Sequence, residues 1–148
     1  MKSARIYNTT RQNVVCENCQ IADGLWTRMR GLSGRKSLGE NEGMLIVPCP
    51  SIHMFGMEFS LDVVFVTKEM VVTDIRESIH RRQMYVAKDK LKELVAASVI
   101  PNVASAPTAS DTKAGKPHSA LEMAVGSVAR CNVQIGDKLE VQSNEPGT

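Results

Sequence analysis

Residues 49–54 read Cys49-Pro50-Ser51-Ile52-His53-Met54 and gather a thiol, a hydroxyl and an imidazole in one short stretch. Pro48 and Pro50 restrict the chain on either side of the cysteine. A nucleophilic cysteine needs a base within hydrogen-bond reach and a lowered pKa. On a strand, Cys49, Ser51 and His53 would share one face. An extended chain nevertheless holds Cys49 and His53 ~13 Å apart at ~3.3 Å per residue, so a direct pair requires a bend at Pro50. Asp62, a lone carboxyl in the apolar run LDVVFV, could orient the imidazole. This set defines a hydrolase or transferase. The plainer reading is favoured: a buried cysteine acting as a small hydrophobe, a histidine tied to backbone, and an aspartate tied to a turn or an arginine.

Cys16-x-x-Cys19 has the spacing of half a zinc site. Cys49 and His53 are the nearest candidates to complete it, and His80, His118 and Cys131 lie farther off. A second CxxC and an HxxxH are both missing, so a hairpin turn flanked by two cysteines is the simpler account. A thioredoxin-like redox pair would sit at a helix N-terminus, whereas this motif precedes the expected helix.

Arg28, Arg30, Arg35 and Lys36 cluster around Gly31 and Gly34. Backbone N–H groups near glycines can cradle an anion, and arginine offers bidentate bonds to phosphate or carboxylate. A solvated helix face explains the cluster more simply. Arg30 and Arg35 still carry the best hint of a small anionic ligand or an acidic partner, on a surface shared with Cys49, His53 and Met57. The GxxxxGK[ST] loop is absent.

The elements that would position these groups are short. Residues 5–7 and 13–15 read as strands. Glu17-Asn18 is the expected turn of a hairpin returning through residues 19–22. Asp23 is an expected N-cap for a helix over 24–32, with Leu25, Met29 and Leu32 on one face. Residues 43–47 (GMLIV) form an apolar strand stopped by Pro48. Residues 61–66 read as a central strand and 70–77 as a half-exposed one, joined through Lys68-Glu69. Leu91, Leu94, Val95 and Val99 make a helical stripe. Residues 101–118 contain three prolines and read as a mobile loop. Residues 121–125 form a buried strand, 127–130 a helical turn, Gly136-Asp137 a turn and 138–141 a closing strand. The tail from Ser143 reads as disordered.

The chain has 148 residues, 43% of them hydrophobic and 23% charged, which fits one globular domain. A net charge of +2 is too small to point to nucleic acid. No run approaches the ~20 apolar residues of a membrane helix. The start, MKSARIYNTT, lacks the apolar core of a signal peptide. Four cysteines without an export signal suggest reduced thiols and a cytoplasmic location.

Six blocks in order, WTRMRGL (26–32), GMLIVP (43–48), SIHMFGM (51–57), LDVVFV (61–66), LEMAVG (121–126) and IGDKL (135–139), resemble the uncharacterised prokaryotic family called domain of unknown function 192. The resemblance implies a compact β-rich domain of bacteria and archaea, with no assigned activity. Lys68-Glu69 stand where that family usually has an Asp-Gly-like turn. Residues 86–118 look longer and more helical than its corresponding segment. Cys16 and Cys19 are not part of its pattern.

The expected fold is therefore mainly β: a single domain, residues 1–148, forming a small barrel or sandwich of about seven strands with one or two short helices. A helical and mobile insertion is expected near 86–118. The expected function is a small non-enzymatic binding or interaction module without a cofactor. The alternatives are the Cys49/His53/Asp62 enzyme acting on a small anionic substrate and a zinc-stabilised domain built on Cys16 and Cys19.

Overall fold

The computed structural model describes residues 2–24, 27, 32, 35–48, 51–53, 59–79, 84–86 and 115–144, with backbone alone for 51–53 and 84–86. Its strands are β1 (Lys2–Asn8), β2 (Asn13–Ala22), β3 (Glu42–Ile46), β4 (Ser51–His53), β5 (Leu61–Val66), β6 (Val72–Ile79), β7 (Met84–Val86), β8 (Ser119–Ala124) and β9 (Leu139–Ser143). One short helix, α1 (Ser127–Cys131), stands between β8 and β9. Seven strands form one mixed sheet in the order β6-β5-β8-β3-β2-β1-β9, and β4 pairs with β7 in a second sheet. All described neighbours in the large sheet are antiparallel except β2 and β3, which run parallel from Asn18↔Glu42 to Ala22↔Ile46. The fold is thus mainly β, as its alternating apolar runs require.

The ends of the strand order approach each other at one corner. Val72 N donates to Asp137 O at 2.9 Å, Gly136 N to Val72 O at 2.8 Å and Leu139 N to Met70 O at 2.8 Å. That contact holds a single isolated bridge, Val71↔Lys138, and no ladder. The sheet therefore curls without closing into a barrel.

Curling gives the sheet an inner and an outer face. The inner face carries Ile6, Val15, Leu45, Val64, Val66, Leu121, Met123 and Leu139, and α1 covers it with Val128 and Cys131. The outer face carries Met44, Ile46, Leu61, Val63, Phe65, Ile79 and Ala120, with Leu32, Leu38 and Phe59 packed over it. Every residue of β5 is buried because both faces of that strand are covered.

Two expectations are corrected. Glu17-Asn18 is not a turn: β2 runs unbroken through it, and the β1–β2 hairpin turns at residues 9–12, where Gln12 takes φ 57°. The register jumps between Ala4↔Cys19 and Ile6↔Cys16, so β2 bulges by one residue at that place. A regular strand would send residues three apart to opposite faces, and the bulge brings both Cys16 and Cys19 to the inner core. Ser143 is not tail: it pairs with Ala4 at the end of β9. Residues 84–86, ahead of the expected insertion near 86–118 save for Val86, form a strand paired with Ser51–His53. The Lys68-Glu69 turn does join β5 to β6, with Met70 N donating to Thr67 O at 2.9 Å and Met70 at φ 68°. The stripe at Leu91, Leu94, Val95 and Val99, the loop over 101–114 and most of the expected helix over 24–32 lie outside the described residues.

Gly43 is required by close packing. A Cβ there would meet Cys16 Sγ at 2.9 Å and the Glu122 carbonyl oxygen at 3.0 Å. That carbonyl belongs to the β3–β8 ladder and cannot retreat without breaking it. Gly43→Ala is expected to destabilise by about 1–3 kcal/mol through overpacking. An unchanged urea midpoint would contradict this account of the GMLIV strand.

Candidate functional site

The expected site residues are distributed as follows. Asp62 lies on the inner face at 1% exposure. Its Oδ1 accepts from Ser78 N at 2.9 Å, and its Oδ2 accepts from Gly126 N at 3.0 Å and Val128 N at 3.1 Å. Gly126 occupies the N-cap of α1 and has no side chain to cap it, so Asp62 supplies that acceptor from a neighbouring strand. His53 is in β4 with its backbone extended, opposite Met84. Arg30, Cys49, Met57 and the side chain of His53 lie outside the described residues. Arg35 is described, and its Nη2 pairs with Glu42 Oε2 at 3.1 Å.

Cys16, Cys19 and Cys131 are free thiols, all buried. Cys16 is shifted down chiefly by its neighbour Cys19, while Cys19 is pushed up by Cys16 and then by burial. Cys131 is raised by burial. Among the described residues no group of three or more His, Cys, Asp or Glu could hold a metal ion. The ligands that would complete a zinc site with Cys16 and Cys19, Cys49 and His53, fall outside the described side chains.

A second buried carboxylate is also structural. Asp137, 2% exposed, accepts from Asn8 Nδ2 at 2.8 Å, Gln134 N at 3.0 Å and Arg11 Nε at 3.2 Å. Burial alone would raise its pKa, but these bonds and the Arg11 charge outweigh burial and hold it below the usual range. The cluster locks the β1–β2 turn onto the Gly136-Asp137 turn.

The outer face carries the chemistry that the motifs did not indicate. Cross-strand partners share a face, and the register runs Arg76↔Val63↔Glu122↔Met44 from β6 through β5 and β8 to β3. Glu122 is therefore set between Val63 and Met44. It is 7% exposed and accepts no hydrogen bond from the described residues. Burial pushes its pKa up to about 7. Two ion pairs flank it. On one side Arg76 Nη2 meets Asp74 Oδ2 at 3.1 Å, with both side chains 9% exposed. On the other, Glu42 lies two residues from Met44 along β3, on the same face, and takes Arg35. Glu42 is a diagonal neighbour of Glu122, ~7–8 Å away, and Arg76 stands two strands away, ~10 Å by backbone spacing.

Sequence patterning missed Glu122 because LEMAV reads as one apolar strand. The available signal was a single carboxyl at an alternate position in a strand buried on both faces, the same signal that singled out Asp62. Such a carboxyl, protonated near neutrality, can give or take a proton, or ionise against a ligand that supplies hydrogen-bond donors or positive charge.

No helix among the described residues is long and apolar enough to cross a membrane. Two crystal structures resemble this fold. One is a protein of unknown function from Novosphingobium aromaticivorans DSM 12444, 22% identical, with a TM-score of 0.63 over 93% of this chain and 83% of that one. The other is a Sinorhizobium meliloti 1021 protein described as a candidate transcription regulator, 18% identical, with a TM-score of 0.63 over 95% of this chain and 92% of that one. At these identities the likeness is one of fold. No curated protein matches the chain. The model of DUF192, a family described as an uncharacterized ACR, matches residues 6–141, which take in all the described strands from β2 to β8 together with α1, and the chain belongs to that family.

Proposed function

We propose that this protein is a small ligand-binding module whose site is the outer face of the sheet around Glu122. The observation that carries this reading is a carboxyl 7% exposed, set between Val63 and Met44 on the neighbouring strands and shifted up by burial. Asp62 and Asp137, buried as deeply, are each satisfied by three donor groups. Glu122 is the exception among these three, and titratable groups perturbed by burial concentrate where proteins bind and react.

Binding is favoured over turnover by the company Glu122 keeps. General acid–base catalysis needs a second group to attack or to receive the proton. The described residues beside it are Val63 and Met44. The hydrolase or transferase built on Cys49 and His53 needs Asp62 as an orienting group, and both Asp62 oxygens are engaged by backbone N–H groups. An anionic ligand was the expectation from Arg30 and Arg35. The Arg35 charge is met by Glu42, so on the described face a hydrogen-bond donor suits Glu122 better.

A screen of small polar compounds by amide and carboxyl NMR tests the proposal. A ligand is expected to shift residues of β3, β5 and β8 on the outer face and to move the titration of Glu122. Both responses should disappear in Glu122→Gln. Ligand shifts that persist unchanged in that variant would place the site elsewhere.

A further inference from the structure

We infer that Cys16 and Cys19 are a site of oxidative modification: a hydroperoxide converts them to a reversible disulfide within β2. The site lies on the inner face of the sheet and is separate from Glu122 on the outer face.

The register supplies the geometry. Residues three apart on a regular strand stand ~10 Å apart at ~3.3 Å per residue and point to opposite faces, so they cannot be bridged. β2 is not regular here. Cys19 stands opposite Ala4 and Cys16 opposite Ile6, so three steps of β2 are taken up against two steps of β1. Ala4 and Ile6, two residues apart, are both buried on one face, and cross-strand partners share that face. The bulge therefore turns both thiols the same way and shortens their Cα separation to about 6.6 Å, the span of two residues. Disulfides usually join Cα atoms about 4.4–6.8 Å apart. The two thiols already hydrogen-bond to each other.

The surroundings fit this use. Gly43 of β3 pairs with Cys19, and Cys16 Sγ fills the space beside it, 2.9 Å from where a Cβ of residue 43 would stand. Cys16 Sγ also lies 3.6 Å from the Asn41 carbonyl oxygen. Asn41, Gly39 and Glu40 are exposed and form a turn in which Glu42 N donates to Gly39 O at 3.1 Å. A small oxidant reaches Cys16 when this turn shifts, without opening of the β1–β2 ladder.

Cys16 is the attacking thiol and Cys19 the resolving one. The hydrogen bond with Cys19 holds Cys16 below the ordinary thiol range, while that bond and burial push Cys19 up, so Cys16 ionises first. The Cys16 thiolate attacks one oxygen of hydrogen peroxide and the O–O bond breaks. Cys16 becomes a sulfenic acid, and the other oxygen leaves as hydroxide, which takes the proton Cys16 gave up. The Cys19 sulfur then attacks the Cys16 sulfur, the S–O bond breaks, and the departing hydroxide takes the Cys19 proton. Two thiols and one peroxide become one disulfide and two waters. Cys131, in the same core with its Sγ 3.7 Å from the Val14 and Val15 carbonyl oxygens, is the competing partner.

The experiment treats the reduced full chain with hydrogen peroxide, blocks remaining thiols with iodoacetamide in denaturant, and maps tryptic peptides by mass. Trypsin releases Cys16 and Cys19 together in residues 12–28, apart from Cys49 and Cys131. That peptide is expected to lose two hydrogens and to carry no alkyl group, and dithiothreitol should restore both thiols. The oxidised chain should keep its amide dispersion, with shifts confined to residues near the bulge. Cys131→Ser should leave the bridge unchanged. Cys19→Ser should accumulate a sulfenic acid at Cys16 that dimedone traps, and Cys16→Ser should give none at Cys19. A 12–28 peptide that still carries two alkyl groups overturns the proposal, as does a bridge from Cys16 to Cys131 or Cys49. An oxidised chain without amide dispersion also overturns it, because the bridge would then belong to unfolded molecules. These readings come from the unmutated chain and stand even where a serine variant fails to fold.

Discussion

Asp62→Ala is expected to cost on the order of 3–5 kcal/mol, close to the whole stability of a small domain. The carboxylate ties β5 to the end of β6 and to the turn that leads into α1. Its Oδ1 holds Ser78, which stands at φ 54° where β6 slips register between Val63↔Arg76 and Leu61↔Ile79. Its Oδ2 holds the Gly126 turn and the first turn of α1 through Val128. Alanine leaves three backbone donors without an acceptor, where water reaches poorly. Each loses a bond to a charged group, worth about 1.5–3 kcal/mol when made, less what a partly exposed donor recovers from solvent. Asp62→Asn keeps one acceptor oxygen but turns an NH2 group toward a donor, so its cost should be roughly half as large. Urea melts give the two costs, and amide exchange should show the loss concentrated at Ser78, Gly126 and Val128. A midpoint for Asp62→Ala within error of the wild type would refute the capping role.

The strand pattern was legible wherever both faces of the sheet are covered. LDVVFV and GMLIV read as buried strands because burial on both sides demands continuous apolar side chains, and β5 and β3 are those strands. The helical turn expected over 127–130 and the Gly136-Asp137 turn are both present, and Gly126 and Gly136 each stand at φ 94°. The Glu17-Asn18 turn was misread for a physical reason. Two polar residues between apolar stretches signal a turn, but a one-residue bulge produces the same local pattern while the strand continues. Only the pairing with β1 distinguishes them, and that pairing is non-local. The parallel contact of β2 with β3 and the β4–β7 pair are non-local in the same sense, with no turn residue to announce them.

The site divides along similar lines. Asp62 drew attention as an isolated carboxyl in an apolar run, and it lies at 1% exposure with its oxygens engaged. Glu122 sits in an equivalent pattern four positions before Gly126, and nothing local separates the two cases. What separates them is what lies opposite: α1 and a bulged strand supply donors to Asp62, while Val63 and Met44 supply none to Glu122. Partners from distant strands decide whether a buried carboxyl is tied into the backbone or faces apolar neighbours. Arg35 was read as an anion hook from its neighbours in sequence, and its observed partner, Glu42, comes from the next strand.

Glu122→Gln is expected to stabilise the protein at pH 8 by up to about 3 kcal/mol and to leave it nearly unchanged at pH 4. The sign follows from the direction of the shift. Burial raises the Glu122 pKa from 4.5 to about 7 in the folded chain. The folded state therefore binds the proton more tightly than the unfolded state. The stability this contributes is fully present below the unfolded value of 4.5 and is lost as pH rises through about 7. A gap of that size corresponds to about 3 kcal/mol at 1.36 kcal/mol per unit, an upper figure because local relaxation and water entry reduce it. Glutamine is close to the protonated acid in size and polarity and cannot ionise, so the variant should show a flat stability profile across this window. Asp137 acts in the opposite direction and in a separate window. Its pKa is lowered, so the stability it contributes is present above 3.8 and falls away below it, in wild type and variant alike. Urea melts at half-unit intervals from pH 4 to pH 8 would resolve the difference curve. Parallel profiles for the two proteins would mean that Glu122 titrates as an ordinary exposed carboxyl.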